Sequence, residues 1–272
     1  MIPASFTYKR ARSADEAVAL IAEHGDEAKY LAGGQSLLPL MKLRLAAPET
    51  LVDVGRLDEL SYISDQDSHI SIGALTSHHE LATSELLSRE LPLLAYAAAQ
   101  VGDPQIRHRG TIGGSLAHAD PAADLPAVAL ALDATLVARG PAGVREIGAH
   151  DFFLSLFETA LQPGELLTEI RVPKPAQAGW SYQKFTKRAI DWAIVGVAVQ
   201  GGNVALVNMA QTPVRAGMVE QALAAGAGPG EAAERAADAT SPVDDLNATT
   251  DYRKHLAKVL VRRAIEQARG RS

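Results

Sequence analysis

The strongest constraint on this chain is a pair of double glycines. "AGGQS" occupies residues 32–36 and "TIGGS" residues 111–115, each placed after apolar residues and each closed by a serine. Adjacent glycines mark places where the backbone takes angles that a Cβ forbids, or where another group must come close. Two readings are open on the residues alone. The pairs are unrelated structural turns, or they are two loops gripping one diphosphate from opposite sides, with helix N-termini adding their positive ends. Neither has the spacing G-x-G-x-x-G or G-x-x-x-x-G-K-[ST], which excludes the Rossmann and P-loop readings.

Chemistry is bounded by the lack of any cysteine in 272 residues. Disulfides, thiolate catalysis and cysteine-ligated zinc or iron–sulfur centres held by this chain are excluded, so electrons moving through it need another carrier. The 26 basic and 32 acidic residues give a net charge of −6 and no electrostatic reason to expect nucleic acid. No apolar run is long enough to span a bilayer, and "MIPASFTYKR" lacks a basic start followed by an apolar leader. A cytoplasmic location is the default expectation. The pair His78–His79 beside Glu80 lacks the H-E-x-x-H spacing, so no metal site is expected. No G-x-S-x-G elbow occurs, and no catalytic residue is assigned.

The length predicts two domains, and "PKPAQAG" at 173–179 places their boundary, giving 1–175 and 176–272. The first part reads as mixed α and β. Ser13 and Glu16 form a capping box ahead of "AVALIAEHG", and Ser77 with Glu80 repeats it ahead of "LATSELL". "KYL", "TLVDV", "HISIGAL", "ATLVARG" and "ELLTEIRVP" read as strands, "LPLLAYAAAQVG" as a buried helix, and "DFFLSLFETAL" at 151–161 as a helix. Beyond the boundary, "WSYQKFTK", "AIVGVAVQ" and "NVALVNM" predict an antiparallel meander, and a helix is expected to start at Pro213. In the last helix Leu256, Val259, Leu260 and Ala264 form an apolar stripe opposite a basic face. Packing on the second domain is the commoner fate of such a face, a membrane surface the rarer one.

Three single residues each carry two readings. Asp124 precedes Leu-Pro and an apolar run, as a helix N-cap would, or it accepts hydrogen bonds from a ribose. Lys184 is a solubilising surface lysine or a cation stabilising a reduced ring. Trp192 packs a core or lies flat against a flat cofactor.

Several separated segments decide among these readings. "YLAGGQSLLPLMKLRLAAPETLVDV", "GDPQIRHRGTIGGSLAHADPAADLPA", "PGELLTEIRVP", and "TPVRA" with "YRKHLAKVLVRRAIEQA" run in this order over nearly the whole chain. Together they resemble the FAD-binding medium subunit of molybdenum-containing carbon monoxide dehydrogenases, and the flavin domain of the wider xanthine dehydrogenase family. The resemblance implies an α+β, PCMH-type FAD-binding fold: two α+β subdomains around extended FAD, then a small C-terminal domain of antiparallel sheet and helices. It implies that Ala32, Gly33, Gly34, Gln35 and Ser36 form one diphosphate loop, and Thr111, Ile112, Gly113, Gly114 and Ser115 the other. Asp124 then falls on the adenosine side, Leu167 (or its neighbour Leu166) against the cofactor, Lys184 near the isoalloxazine and Trp192 beside its ring. The chain departs from the pattern at Gln35, where the carbon monoxide enzymes carry His, and at Ser115, where Asn or Asp is frequent.

The function so implied is that of an oxidoreductase subunit that carries FAD and transfers electrons. A molybdenum-pterin large subunit oxidises the substrate, an iron–sulfur small subunit relays electrons, and FAD passes them to quinone, NAD or another acceptor. A dimer of heterotrimers, cytoplasmic and at the inner face of the membrane by peripheral association only, completes the expectation. Two alternatives stand beside it: a nucleotide-binding or assembly module without flavin, and a self-sufficient flavin oxidase of the same fold.

Overall fold

The computed structural model describes residues 2–175 and 178–271. It opens with strand β1 (Thr7–Arg10), helix α1 (Ala14–His24), strand β2 (Ala28–Leu31), helix α2 (Leu37–Lys42) and strand β3 (Thr50–Asp53). The Ser13 side chain accepts a hydrogen bond from the Glu16 amide at 3.1 Å and starts α1; Gly25 ends it at a φ of 60°. Parallel strands need crossovers, and α1 and α2 supply them. The three strands pair in parallel in the order β1–β3–β2. Ala17, Val18 and Ile21 of α1 close a small core over Val52 and Val54.

Next come β4 (Ile63–Gln66), β5 (His69–Gly73) and six helices: α3 (His78–Thr83), α4 (Glu85–Glu90), α5 (Pro92–Ala99), α6 (Pro104–Arg109), α7 (Ile112–His118) and α8 (Asp124–Ala131). They are followed by β6 (Thr135–Gly140), β7 (Gly143–Gly148), α9 (Ala149–Phe152), β8 (Phe153–Ser155), β9 (Glu158–Thr159) and β10 (Leu166–Pro173). An antiparallel sheet runs in the order β4–β5–β10–β6–β7. Both reciprocal bonds of the Ser77–Glu80 capping box are present at the start of α3. The expected helix at 151–161 is not observed. Asp151, Ser155, Glu158 and Thr159 fall at helical spacing, so the local pattern does favour a helix, and tertiary packing overrides it. Instead Phe152 is buried, β8 and β9 form a tight hairpin, and Phe157 at its tip takes a left-handed φ of 58°. Strands β1, β4 and β7, rich in polar residues, gave no apolar alternation and were not expected.

The remainder is β11 (Trp180–Phe185), β12 (Val195–Gln200), β13 (Asn203–Val207), β14 (Val214–Arg215), α10 (Gly217–Ala224), α11 (Pro229–Ala233) and α12 (Thr250–Arg269). The expected antiparallel meander is present, with Gly201 and Gly202 as a two-residue turn between the paired Gln200 and Asn203. Helix α10 starts at Gly217 and not at Pro213, because Val214 and Arg215 are held in the sheet edge by Ala205 and Leu206. Every residue of β12 is buried, and its two faces differ. Val195, Val197 and Val199 pack with the apolar side of α12, while Ala198, with Ala205 and Val207 of β13, faces a core shared with α5 and α8. Period-two alternation of branched and small residues thus fixes which helix lies on which face. In α12, Leu256, Leu260 and Ala264 are buried as expected, Val259 is half-buried, and Arg253 is sealed in unexpectedly.

The stretch 173–179 lies between β10 and β11, and its residues 176 and 177 fall outside the described residues. One apolar core, which holds α5, α8, Tyr182 and Ala198, continues across it. Among the described residues no helix is long and apolar enough to cross a membrane.

Candidate functional site

The two glycine pairs meet. A Cβ on Gly33 would stand 2.0 Å from the Arg109 carbonyl oxygen, so the loop after β2 rests directly on the backbone that leads from α6 into α7. Between and beside them opens a cleft of about 470 Å³, within the range of small-molecule and cofactor sites. Ala32, Gly33, Gly34, Gln35 and Ser36 line one side, and Thr111, Gly113, Gly114 and Ser115 another. Ile112 points away into the apolar core.

The two pairs differ in local structure. Gly34 has a φ of 74°, the angle that makes glycine necessary in the first loop. The second pair is not a turn but the first turn of α7, with Thr111 as its N-cap accepting from the Gly114 amide at 3.1 Å. Thr before two glycines is the N-cap signal that accounts for this. The consequence is a division of hydrogen bonds. Ile112, Gly113 and Ser115 donate to Thr76, Ala74 and Thr111 carbonyls. Among the described residues, the amides of Gly33, Gly34, Gln35 and Ser36 donate to no protein acceptor. Free, adjacent backbone N–H groups beside a cleft suit an anion. Gly113 is required by Ala74, whose Cβ would stand 2.5 Å from an added Cβ. Gly114 has only the Thr111 hydroxyl near such an atom and leaves the cleft wall without a side chain.

Asp124 is the first residue of α8, with Ala123 and not Asp124 at the N-cap position. Its carboxylate is 96% buried by its 4% side-chain exposure, yet the residue reaches the cleft. Oδ2 accepts from Lys184 Nζ at 2.9 Å and Oδ1 from the Tyr182 hydroxyl. Burial pushes this carboxyl above its ordinary value, against the opposing pull of Lys184 and Tyr182. The Tyr182 hydroxyl rises well above its usual range for the same reason. Lys184 is no surface lysine. With 8% exposure it also donates to the Gln100 carbonyl at 3.0 Å and does not line the cleft itself.

Trp192 is 58% exposed and lines the cleft, which overturns the core-packing reading. Its loop is fixed from behind: Asn208 donates to the Ala193 carbonyl at 2.8 Å and Arg253 to that of Ile194 at 2.5 Å. Leu166 and Leu167 both line the cleft, next to a β-bulge between Leu167 and Glu169 that breaks strict alternation.

Sequence reasoning missed Tyr30, His78, Val101, Gly110 and Glu165 on the same walls. Tyr30 stands two residues before the first glycine motif and Gly110 directly before the second, and that closeness was the available signal. Glu165 is a carboxylate held by Arg145 at 2.6 and 2.7 Å, whose guanidinium keeps its pKa low. No group of metal-ligating side chains is assembled among the described residues.

Comparison with known proteins adds three kinds of match. The model of the FAD binding domain in molybdopterin dehydrogenase matches residues 4–175, and that of the CO dehydrogenase flavoprotein C-terminal domain matches residues 180–268. The carbon monoxide dehydrogenase medium chain of Hydrogenophaga pseudoflava is 43% identical over 98% of both chains. The 6-hydroxypseudooxynicotine dehydrogenase complex subunit alpha of Paenarthrobacter nicotinovorans is 40% identical over 98% of this chain and 96% of its own. Among solved structures, carbon monoxide dehydrogenase from Hydrogenophaga pseudoflava superposes with a TM-score of 0.95 at 42% identity, covering 100% of this chain and 99% of that one.

Proposed function

The chain belongs to the family of FAD-binding proteins of the molybdopterin dehydrogenases, and on that premise we propose that it is the flavin subunit of an aerobic carbon monoxide dehydrogenase. It is an oxidoreductase subunit, and its cofactor is FAD. Bound FAD supplies the two-electron carrier that a cysteine-free chain lacks. The residues present fit that group: free amides at 33–36, a wall left bare at Gly114, and an aromatic at the mouth.

In this reading the amides of Gly33 to Ser36 hold the diphosphate, and Thr111 to Ser115 close on it from the start of α7. Trp192 stands beside the ring. Asp124 carries the adenosine-side contact, and Lys184 acts through Asp124. Residues 1–175 bind the cofactor, and 176–272 form the second domain. Substrate is oxidised on a molybdenum-pterin subunit and electrons arrive through an iron–sulfur subunit, in a cytoplasmic dimer of heterotrimers at the inner face of the membrane. Carbon monoxide as substrate rests on the full-length likeness to the Hydrogenophaga medium chain.

One observation carries the reading: two distant glycine motifs converge on one cleft, where four adjacent amides have no partner among the described residues. Native purification tests it. Yellow protein accompanied by molybdenum and iron–sulfur subunits is expected. Colourless protein would favour an assembly module, and yellow protein turning over substrate alone would favour a flavin oxidase.

A further inference from the structure

We propose that His78 is a further FAD-binding residue, whose neutral imidazole hydrogen-bonds to a polar atom of the bound cofactor. This rests on the flavin reading of the cleft. The ring lines that cleft at the start of α3, and 4% of the residue remains exposed. Nδ1 is sealed from solvent without a partner, and neither ring nitrogen makes a hydrogen bond among the described residues. Nδ1, out of reach of solvent, is equally out of reach of a ligand in the cleft, whereas Nε2, also unpaired but not sealed, is the nitrogen to which a cofactor atom can supply the missing partner.

The surroundings are built to hold the ring there. The capping box of Ser77 and Glu80 fixes the first turn of α3. The His78 amide donates to the Gly110 carbonyl at 3.0 Å, and Ser77 bridges to Thr111, the N-cap of α7. Gly110 leaves the space that the imidazole fills, since a Cβ there would stand 2.9 Å from Cδ2 and 3.0 Å from Nε2. Burial and the nearby Arg107 guanidinium keep the ring uncharged, with its pKa lowered to about 4. A neutral imidazole has one donor and one acceptor nitrogen, so it can satisfy either kind of polar atom on the cofactor.

Titration of the flavin-free full-length chain with FAD tests this, alongside His78→Phe, His78→Asn and His78→Gln. Parent protein should bind FAD, and His78→Phe should bind about tenfold more weakly, the worth of one buried hydrogen bond. Gln places its amide where Nε2 lies and Asn where the sealed Nδ1 lies, so recovery is expected in His78→Gln and not in His78→Asn. Should the variants fold poorly, 15N spectra of histidine-labelled protein decide: FAD must shift an imidazole pair other than that of His118, which lines the same cleft and is identified by its absence in His118→Gln. Failure of the parent to bind FAD would overturn the flavin reading itself. Tight binding by folded His78→Phe, or imidazole resonances that FAD leaves unmoved, would make His78 a packing residue only.

Discussion

Lys184 Nζ lies 2.9 Å from Asp124 Oδ2 with both side chains nearly sealed from solvent, so the first residue of α8 is tied by charge to the strand β11. Tyr182, two residues earlier on that strand, takes the other carboxylate oxygen. A Cβ on Gly196 would press first on Val207 at 3.0 Å and then on the Tyr182 hydroxyl at 3.3 Å. The cleft and the C-terminal sheet therefore share one polar network. Breaking it from either end should be felt in both.

Lys184→Met should destabilise the protein by roughly 3–5 kcal/mol, the usual cost of stranding one charge of a buried pair. Replacing both partners with apolar residues, Asp124→Leu with Lys184→Met, should recover most of that loss. The pH dependence has a definite sign. Burial already raises the Asp124 pKa above 3.8. A carboxyl with a raised folded pKa favours the fold fully below its unfolded value, and that contribution is lost as pH climbs through the folded value. Lys184→Met removes the main opposing charge, so its thermal midpoint should fall more steeply than the parent's as pH rises above the ordinary carboxylate value. Parallel curves would show that the pair is not coupled as described.

The four motif glycines should separate by role. Gly33→Ala and Gly113→Ala drive a Cβ onto the Arg109 carbonyl and onto Ala74, and should cost about 1–3 kcal/mol or prevent folding. Gly114→Ala meets only the Thr111 hydroxyl, so it should fold and lose flavin. Thermal midpoints measured with the flavin-to-protein absorbance ratio make the comparison. A folded Gly114→Ala variant with full flavin content would remove α7 from the cofactor cradle.

Trp192→Ala should change stability by no more than about 0.5 kcal/mol, because the indole is largely exposed. Flavin emission should rise on losing an adjacent aromatic ring. Unchanged emission from a fully loaded variant would place the indole away from the ring.

Arg253→Ala should cost roughly 2–4 kcal/mol, since it empties a buried site and leaves the Ile194 carbonyl with only a long 3.4 Å bond from Asn208. It should also alter flavin emission, because Ile194 anchors the loop that carries Trp192. Loss of stability with emission intact would mean the loop is held by Asn208 alone.

Much of this arrangement was legible in residue order. The capping box at Ser77 and the Val-Ala alternation of β12 dictate local structure, and the structure follows them. At Ser13 only the N-cap half of the expected box forms, the Glu16 carboxylate accepting instead from the Arg12 amide. Hydrophobic periodicity misled at 151–161, where polar residues recur at helical spacing but burial of Phe152 and the left-handed angle at Phe157 define a hairpin. The site was legible as motifs but not as contacts. Gly33 looks like a ligand-approach glycine, yet its nearest demand comes from Arg109, more than seventy positions away in the chain. The lysine at 184 reads as solvated because nothing local announces Asp124 sixty positions earlier. His78 sits in a His-His-Glu run without metal-site spacing, and only tertiary placement shows an unpaired imidazole at a cleft.

The most direct test is the flavin absorbance of the full-length chain under anaerobic carbon monoxide, alone and after reconstitution with its molybdenum and iron–sulfur partners. As the flavin subunit, the chain should hold noncovalent FAD that stays oxidised alone and bleaches when both partners are present. Bleaching of the chain alone, with molybdenum and iron excluded by metal analysis, would contradict that assignment, and so would a chain that holds no flavin in either state.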